Sequence, residues 1–367
     1  MTLTAPSVLL MVGTRKGTFL FSSDLARRQW RCAHHHGDWS VHALNYDARN
    51  RMMYAATNHN YLSQSTTIQR TEVQNSVKSG AKWHAAKSGP NFDDQRNAWQ
   101  IWQVVHGHPQ RPGEVWAGTR EAGLFRSSDW GETWEAVPGL NNHPTCSTWQ
   151  EGGGGLLLHT IIVDPDEPRR LYACISMGGA FRSEDGGVSW QPINHGLAEG
   201  LPNLRPGTHQ CVHKMVLHPL RTSVLFQQHH CGVYRSNDRG DHWSDISEGL
   251  PSRFGFPLAI HPHDPDTIYL VPHVSDYQRM VPDGHLAVWR SRTGGDSWES
   301  LTHGLPENAW FTILRENLAV DGCDPAGVYV GTSSGQLYYS RDEGTHWELL
   351  ADHLPSIISV NSAYIAE

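Results

Sequence analysis

The chain has 367 residues, and its 37 Asp and Glu outnumber its 29 Lys and Arg to give a formal charge of −8. This acidic balance argues against nucleic acid or an anionic membrane as a partner, and no run of about 18 apolar residues predicts a membrane-spanning helix. The 35 Gly, 21 Pro and 15 Trp, with only 18% charged residues, indicate a turn-rich, soluble all-β protein.

Two features of the chain predict a cytoplasmic location. The first ten residues have neither a basic start nor a cleavage site after their short apolar stretch. The six cysteines show no paired spacing and no Cys-x-x-Cys motif, which favours reduced thiols.

In chain order, the N-terminal stretch predicts three strands, at 8–13, at 17–22 and from Trp30 onward. A divergent unit then begins at His42, with a strand at 51–56 and a long insertion before Trp83. The next unit is regular, with strands at 103–107, 114–118 and 123–127 and a fourth after Trp134. Equivalent units are predicted to begin near four later positions, which are His159, His213, Phe256 and Glu316.

The N-terminal unit lacks an inner strand, and the C-terminal segment 357–365 is available to supply it. Closing the ring with strands from both chain ends leaves no free sheet edge. The sequence therefore predicts one β-propeller domain spanning residues 1–367, with seven blades, and with six or eight as the alternative counts.

One short motif, Ser-x-Asp-x-Gly-x-x-Trp, recurs five times and ends at Trp134, Trp190, Trp243, Trp298 and Trp347. Ser and Asp side chains bond the backbone of their own turn, Gly supplies a positive φ, and Trp anchors the returning strand. In the fourth copy Thr293 replaces Asp, which predicts a looser turn.

This tip motif resembles the Asp-box, or BNR, repeat of sialidases, xyloglucan-cleaving glycosidases, sortilin-type receptor domains and photosystem II assembly factors. The resemblance implies propeller blades and a structural role for the boxes, and not a catalytic role for Asp129 or Asp185. The Phe/Tyr-Arg-Ile-Pro motif that supplies an arginine in sialidases is absent. Sialidase activity is therefore disfavoured.

A polar row is predicted at the start of the inner strands, which line the channel of a propeller. The repeats are registered on their Asp-Pro and His-Pro corners, with Asp47 and Asp321 in the same slot. Counting back five positions then gives the row, which is His42, Gln103, His159, His213, Phe256 and Glu316. Three imidazoles and a carboxylate converging on an axis suit a divalent metal. The expected ligands of Zn, Fe or Mn are His42, His159, His213 and Glu316.

The row predicts a metal-dependent hydrolase or lyase acting on a small molecule or sugar, with Glu316, His213 and Gln103 as catalytic residues. No nucleotide or flavin cofactor is expected. Loops at the same face supply five residues expected to bind substrate, which are Trp149, Glu151, Arg120, His230 and Trp310. For the aromatic residues, packing between blades is the alternative interpretation.

Three other interpretations stay open. The polar row can form a catalytic or binding pocket without a metal, or its residues can hydrogen-bond to each other and to water in the channel. The chain can be a non-catalytic scaffold, an assembly factor with a protein partner, or a ligand-binding propeller. It can also be a glycoside hydrolase with paired carboxylates, for which Glu316 and Glu151 are the nearest candidates and Asp38 a weaker one.

Overall fold

Short strands separated by Gly- and Pro-rich turns build several small sheets rather than one continuous sheet. The computed structural model describes residues 6–59, 66–78, 81–92, 100–198 and 210–366. Within them, the strands form seven four-stranded antiparallel sheets arranged as a seven-bladed β-propeller. The predicted fold and blade count are confirmed.

The first four blades follow chain order, apart from the last strand of the chain. Blade 1 contains β1 (Ser7–Thr14), β2 (Gly17–Ser23), β3 (Arg31–His35) and β28 (Ile357–Ile365). Blade 2 contains β4 (Trp39–Asp47), β5 (Met52–His59), β6 (Thr66–Glu72) and β7 (His84–Ala85). Blade 3 contains β8 (Ile101–His106), β9 (Val115–Thr119), β10 (Leu124–Ser127) and β11 (Glu135–Ala136). Blade 4 contains β12 (Leu158–Val163), β13 (Leu171–Ile175), β14 (Gly179–Ser183) and β15 (Gln191–Pro192).

The remaining three blades repeat this plan. Blade 5 contains β16 (Val212–His218), β17 (Arg221–His229), β18 (Gly232–Ser236) and β19 (Ser244–Asp245). Blade 6 contains β20 (Gly255–Ile260), β21 (Ile268–Pro272), β22 (Val288–Ser291) and β23 (Glu299–Leu301). Blade 7 contains β24 (Leu318–Val320), β25 (Val328–Gly331), β26 (Leu337–Ser340) and β27 (Glu348–Ala351).

Helices are short. Two α-helical turns, α1 (Val73–Ser76) and α2 (Pro138–Asn141), and two 3₁₀ turns, Cys146–Thr148 and Pro282–Gly284, lie in connections between strands. None of the helices in the described part of the chain is long and apolar enough to cross a membrane.

The two chain ends close the ring as predicted. The last strand, β28, pairs antiparallel with β1 over the whole length of β1, from Ser7 opposite Ile365 to Thr14 opposite Ile357. Because β28 is the inner strand of blade 1, the first and last blades become neighbours in one closed ring.

The core lies between blades. Tyr172 of blade 4 and Leu225 of blade 5 belong to one buried cluster, and Tyr54 of blade 2 packs with Phe125 of blade 3 in another. These side chains are fully buried, so each blade is stabilised mainly by the face of its neighbour.

The tips are held by local hydrogen bonds. In the first copy of the tip motif, the backbone N–H of Gly131 donates to Ser127 Oγ over 2.8 Å, and Asp129 accepts from the N–H of Thr133 over 2.9 Å. The fourth copy keeps this pattern, since the Thr293 hydroxyl accepts from the N–H of Ser297 over 3.0 Å. The expected loosening at Thr293 is therefore absent from this turn.

We expect deletion of residues 357–367 to lower the melting temperature strongly and to cause aggregation, because it removes β28 and exposes the edge of β1. Thermal unfolding and size-exclusion chromatography measure both effects. The matched control removes only residues 366–367, which follow β28. Equal melting temperatures and monomeric behaviour for both truncations would contradict ring closure by the chain ends.

We expect Trp190→Ala to reduce the free energy of unfolding by about 3–5 kcal/mol, as for other buried aromatic residues. Trp190 is 8% exposed, packs with Phe181, and donates from Nε1 to the carbonyl of Gly187 over 3.1 Å. Denaturant unfolding gives the value, with Tyr277→Ala as the control because Tyr277 is 97% exposed. If the two variants were equally stable, the tip Trp would not be a structural anchor.

Candidate functional site

The inner strands carry β-bulges near their start. In five of them the ladder skips one or two residues, between Val41 and Ala43, Ile101 and Gln103, Leu158 and Thr160, Val212 and Lys214, and Gly255 and Leu258. A bulge leaves its extra residue unpaired and re-aims its side chain. The bulged residues are His42, Trp102, His159, His213 and the pair Phe256 and Pro257.

The bulges correct the predicted row in blade 3, where Trp102 and not Gln103 occupies the bulge. Gln103 pairs with Gly118, as Thr160 pairs with Cys174 in blade 4. The corner of blade 3 lies six residues after its bulge, whereas that of blade 4 lies five residues after its bulge. Counting back five positions in blade 3 therefore gave Gln103, the residue after the bulge.

Both ring nitrogens of His159 contact polar groups of the fold. Its Nε2 lies 3.0 Å from the carbonyl oxygen of Val212 in the next blade, its Nδ1 lies 3.0 Å from Thr160 Oγ1, and it is 1% exposed. Burial, with the nearby cation of Arg315, holds its pKa well below the usual range. Because both ring nitrogens have partners, His159 does not join a ligand set with the other predicted residues.

His213 also bonds to a carbonyl group of the next blade, but only through one of its two ring nitrogens. Its Nδ1 donates to the carbonyl oxygen of Gly255 in blade 6 over 2.5 Å, which leaves Nε2 as the acceptor, 3.5 Å from Cys211 Sγ. Burial, again reinforced by Arg315, holds the pKa of His213 well below the usual range. The ring is therefore neutral, with a lone pair directed at Cys211.

A large cavity opens at the start of the inner strands. This upper cavity has a volume of about 870 Å³, a size typical of ligand sites. Aromatic rings of Trp102, Phe254 and Phe256 form part of its wall, and the glycine run 152–155 forms another part. Its charged lining consists of three guanidinium groups and three carboxylates, from Arg15, Arg279, Arg315, Glu151, Asp276 and Glu316.

A second cavity of about 530 Å³, the lower cavity, continues along the channel and contains Gln103 and Lys214. His42 and Glu316 face both cavities. Glu316 Oε2 pairs with Lys214 Nζ over 2.5 Å, and its Oε1 is buried without a hydrogen-bond partner among the described residues. The carboxylate predicted as a metal ligand is thus part of an ion pair between blades 7 and 5.

Among the residues expected to bind substrate, Glu151 and His230 line the upper cavity and the other three do not. Trp149 packs with its ring centroid 5.6 Å from that of Phe181 and donates to Thr145 Oγ1 over 3.1 Å. Arg120 lies beside Glu121, with 4.0 Å between Nε and Oε1. Trp310 is 61% exposed outside both cavities.

The predicted ligand set is not brought together. In the described part of the chain, one group of three or more His, Cys, Asp or Glu has all its ligand atoms within 4.8 Å of one another, and it consists of Cys211, His213 and His230. All three line the upper cavity. Only His213 belonged to the set expected from the sequence. Cys211 was missed, although the Cys211-x-His213 spacing would have predicted both side chains on one face of an extended segment.

The structure also brings charged groups to the upper cavity that sequence reasoning missed. The Nε of Arg315 donates to the carbonyl oxygen of His213, and Arg279 donates from Nε to the carbonyl oxygen of Asp276 over 2.9 Å. The guanidinium of Arg279 stands 5.5 Å from the ring centroid of Phe256. Asp38, the weaker carboxylate candidate, is exposed and does not line either cavity.

The chain was compared with known protein families, sequences and solved structures, and it is similar to xyloglucanases and to other β-propellers. No protein-family profile matches the chain. It is 25% identical over 226 residues to a probable oligoxyloglucan-reducing end-specific xyloglucanase of Neosartorya fischeri, covering 53% of this chain and 26% of that protein. The chain thus spans about a quarter of the length of this relative.

Solved structures agree on the fold. An ancestral GH74 enzyme has a TM-score of 0.58 at 17% identity, covering 85% of this chain and 38% of that one. The propeller YCF48 bound to D1 peptide has a TM-score of 0.54 at 15% identity, covering 92% and 93% of the two chains. At these identities the likeness shows the seven-bladed β-propeller fold.

We expect His42 to contribute stability that is lost in acid. Burial, with the nearby cation of Arg15, lowers its pKa to about 4, and Nδ1 accepts from Asn58 Nδ2 over 2.8 Å. Because the unfolded value is about 6.5, this stability is complete above pH 6.5 and falls as the pH drops towards 4. His42→Gln should reduce the slope of unfolding free energy in this window by up to about 1.4 kcal/mol per pH unit.

Denaturant unfolding at several pH values between 4 and 7 measures this slope. The control is His353→Gln, because the His353 side chain is 90% exposed. Equal slopes for wild type and His42→Gln would show that His42 is not held neutral by the fold.

Proposed function

We propose that the chain is a hydrolase that binds a saccharide in the upper cavity and cleaves one of its glycosidic bonds with cavity carboxylates. The observation that carries the proposal is the convergence of Glu151, Asp276 and Glu316 on one cavity of about 870 Å³. Similarity to a xyloglucanase supports the substrate class. A pair of carboxylates across a bound sugar is the usual requirement for glycoside hydrolysis.

The lining suits a sugar. Rings of Trp102, Phe254 and Phe256 offer apolar faces to the C–H groups of a pyranose, and the guanidinium groups and carboxylates offer donors and acceptors for its hydroxyls. The glycine run 152–155 adds backbone groups to the lining, and these residues have no side chains of their own to keep a ligand away.

Glu316 is assigned as the base or nucleophile. Its Oε2 is fixed by Lys214, and its Oε1 has no protein partner in the described part of the chain, so that oxygen has a free lone pair. Glu151 and Asp276 are the alternative proton donors. Gln103 and His213 take positioning roles, because Gln103 Nε2 donates to the carbonyl oxygen of His159 over 3.3 Å and His213 holds Gly255.

We expect the purified protein to release reducing ends from xyloglucan oligosaccharides, and Glu316→Gln to lower kcat by about 10²–10⁴-fold, the usual contribution of an acid–base group. Glu151→Gln and Asp276→Asn are measured beside it, and the variant with the larger loss of kcat identifies the proton donor. Glu248→Gln is the matched control, since Glu248 is exposed and does not line either cavity.

Saccharide binding without hydrolysis would contradict the enzyme assignment and favour a ligand-binding propeller. Binding of a peptide but of no saccharide would favour the scaffold or assembly-factor interpretation. Isothermal titration calorimetry with both ligand classes separates these outcomes from a folded but inactive preparation.

A further inference from the structure

Cys211, His213 and His230 form a compact group with mixed sulfur and nitrogen chemistry on the wall of the upper cavity. Their ligand atoms all lie within 4.8 Å of one another, and Cys211 and His213 are buried while His230 is partly exposed to the cavity. A tetrahedral ion bound at 2.0–2.3 Å from its ligands holds them about 3.3–3.8 Å apart. The group therefore needs small side-chain rotations to close on an ion.

We propose that Cys211, His213 and His230 bind one zinc ion, whose fourth coordination position opens into the upper cavity. A thiolate and two imidazoles form a ligand set that suits a borderline-soft divalent ion such as zinc. Mg²⁺ and Ca²⁺ prefer oxygen ligands and are not expected here. The assignment does not depend on the proposed hydrolysis, because it concerns metal content and not turnover.

The surroundings orient His213 and place a carboxylate near His230. The Nδ1–H of His213 is fixed on the carbonyl oxygen of Gly255 over 2.5 Å, so that Nε2 carries the lone pair on the side of Cys211. Asp276 Oδ2 lies 3.6 Å from Nε2 of His230. A hydrogen bond to a carbonyl or carboxylate fixes the tautomer of a metal-binding imidazole. His213 makes such a bond, and His230 would make one if its ring moved closer to Asp276 as it closes on the ion.

The net charge of the occupied site follows from its ligands. On binding, the thiol of Cys211 releases its proton to solvent, and the thiolate with two neutral imidazoles leaves a net charge of +1 on the zinc centre. Without a metal, burial raises the pKa of the Cys211 thiol to about 11, so the group is a neutral thiol rather than a free nucleophile.

The test uses full-length protein without an affinity tag, freed of metal by a chelator and titrated with Co²⁺ as a spectroscopic substitute for zinc. Wild type is expected to bind one equivalent, with a thiolate-to-cobalt charge-transfer band and tetrahedral d–d bands, and zinc should displace the cobalt. Cys211→Ser should abolish the charge-transfer band, and His230→Ala should weaken binding by about 100-fold or more. Asp276→Asn should weaken it by about 10–100-fold, the usual effect of an outer partner.

Two control variants test whether cobalt binds at this group and not at other thiols or imidazoles. Cys231→Ser removes a neighbouring thiol outside the group, and His242→Ala removes an imidazole from an exposed tip. Both should bind cobalt as wild type does, and circular dichroism verifies that every variant is folded. Less than half an equivalent bound to wild type, an unchanged band in Cys211→Ser, or its loss in Cys231→Ser would overturn the proposal.

Discussion

The structure depends on hydrogen bonds between blades at the bulges of the inner strands. A bulge interrupts the ladder, and in blades 3, 5 and 6 the carbonyl group just before it accepts from the preceding blade: Ile101 from Asn58 Nδ2 over 3.2 Å, Val212 from His159 over 3.0 Å, and Gly255 from His213 over 2.5 Å. Buried carbonyl groups must be paired, so these contacts fix how blades 2 and 3, 4 and 5, and 5 and 6 meet around the channel.

These bonds decide which histidines remain available for chemistry. A ring nitrogen that donates to a carbonyl oxygen cannot bind a metal, and burial keeps His159 and His213 neutral by lowering their pKa values. His159 uses both nitrogens in the fold, whereas His213 uses one and directs the other at Cys211. The upper cavity therefore keeps only part of the polar row for a ligand.

The fold could be predicted from the sequence because its signals are local. The tip motif, the alternation of the strands and the unpaired segment at each chain end gave seven blades and their closure. The site could not be predicted to the same depth, since one extra residue before the corner of blade 3 moved Trp102 into the place expected for Gln103. Contacts such as that of Arg315 with the carbonyl oxygen of His213 join blades 7 and 5, and no local pattern records them.

The ion pair of Lys214 with Glu316 sets the depth of the upper cavity. Its partners come from blades 5 and 7 and meet over 2.5 Å, so the pair reaches past blade 6, where Phe256 and Pro257 occupy the bulge without an ionisable group. Glu316 borders both cavities and Lys214 only the lower one. Glu316 therefore lies at the inner end of the upper cavity for a ligand that enters from the loop face. Cys211, His213, His230 and the aromatic rings line the wall between the loops and Glu316. The same carboxylate that links two blades thereby presents an oxygen without a hydrogen-bond partner among the described residues at the inner end of the proposed binding site.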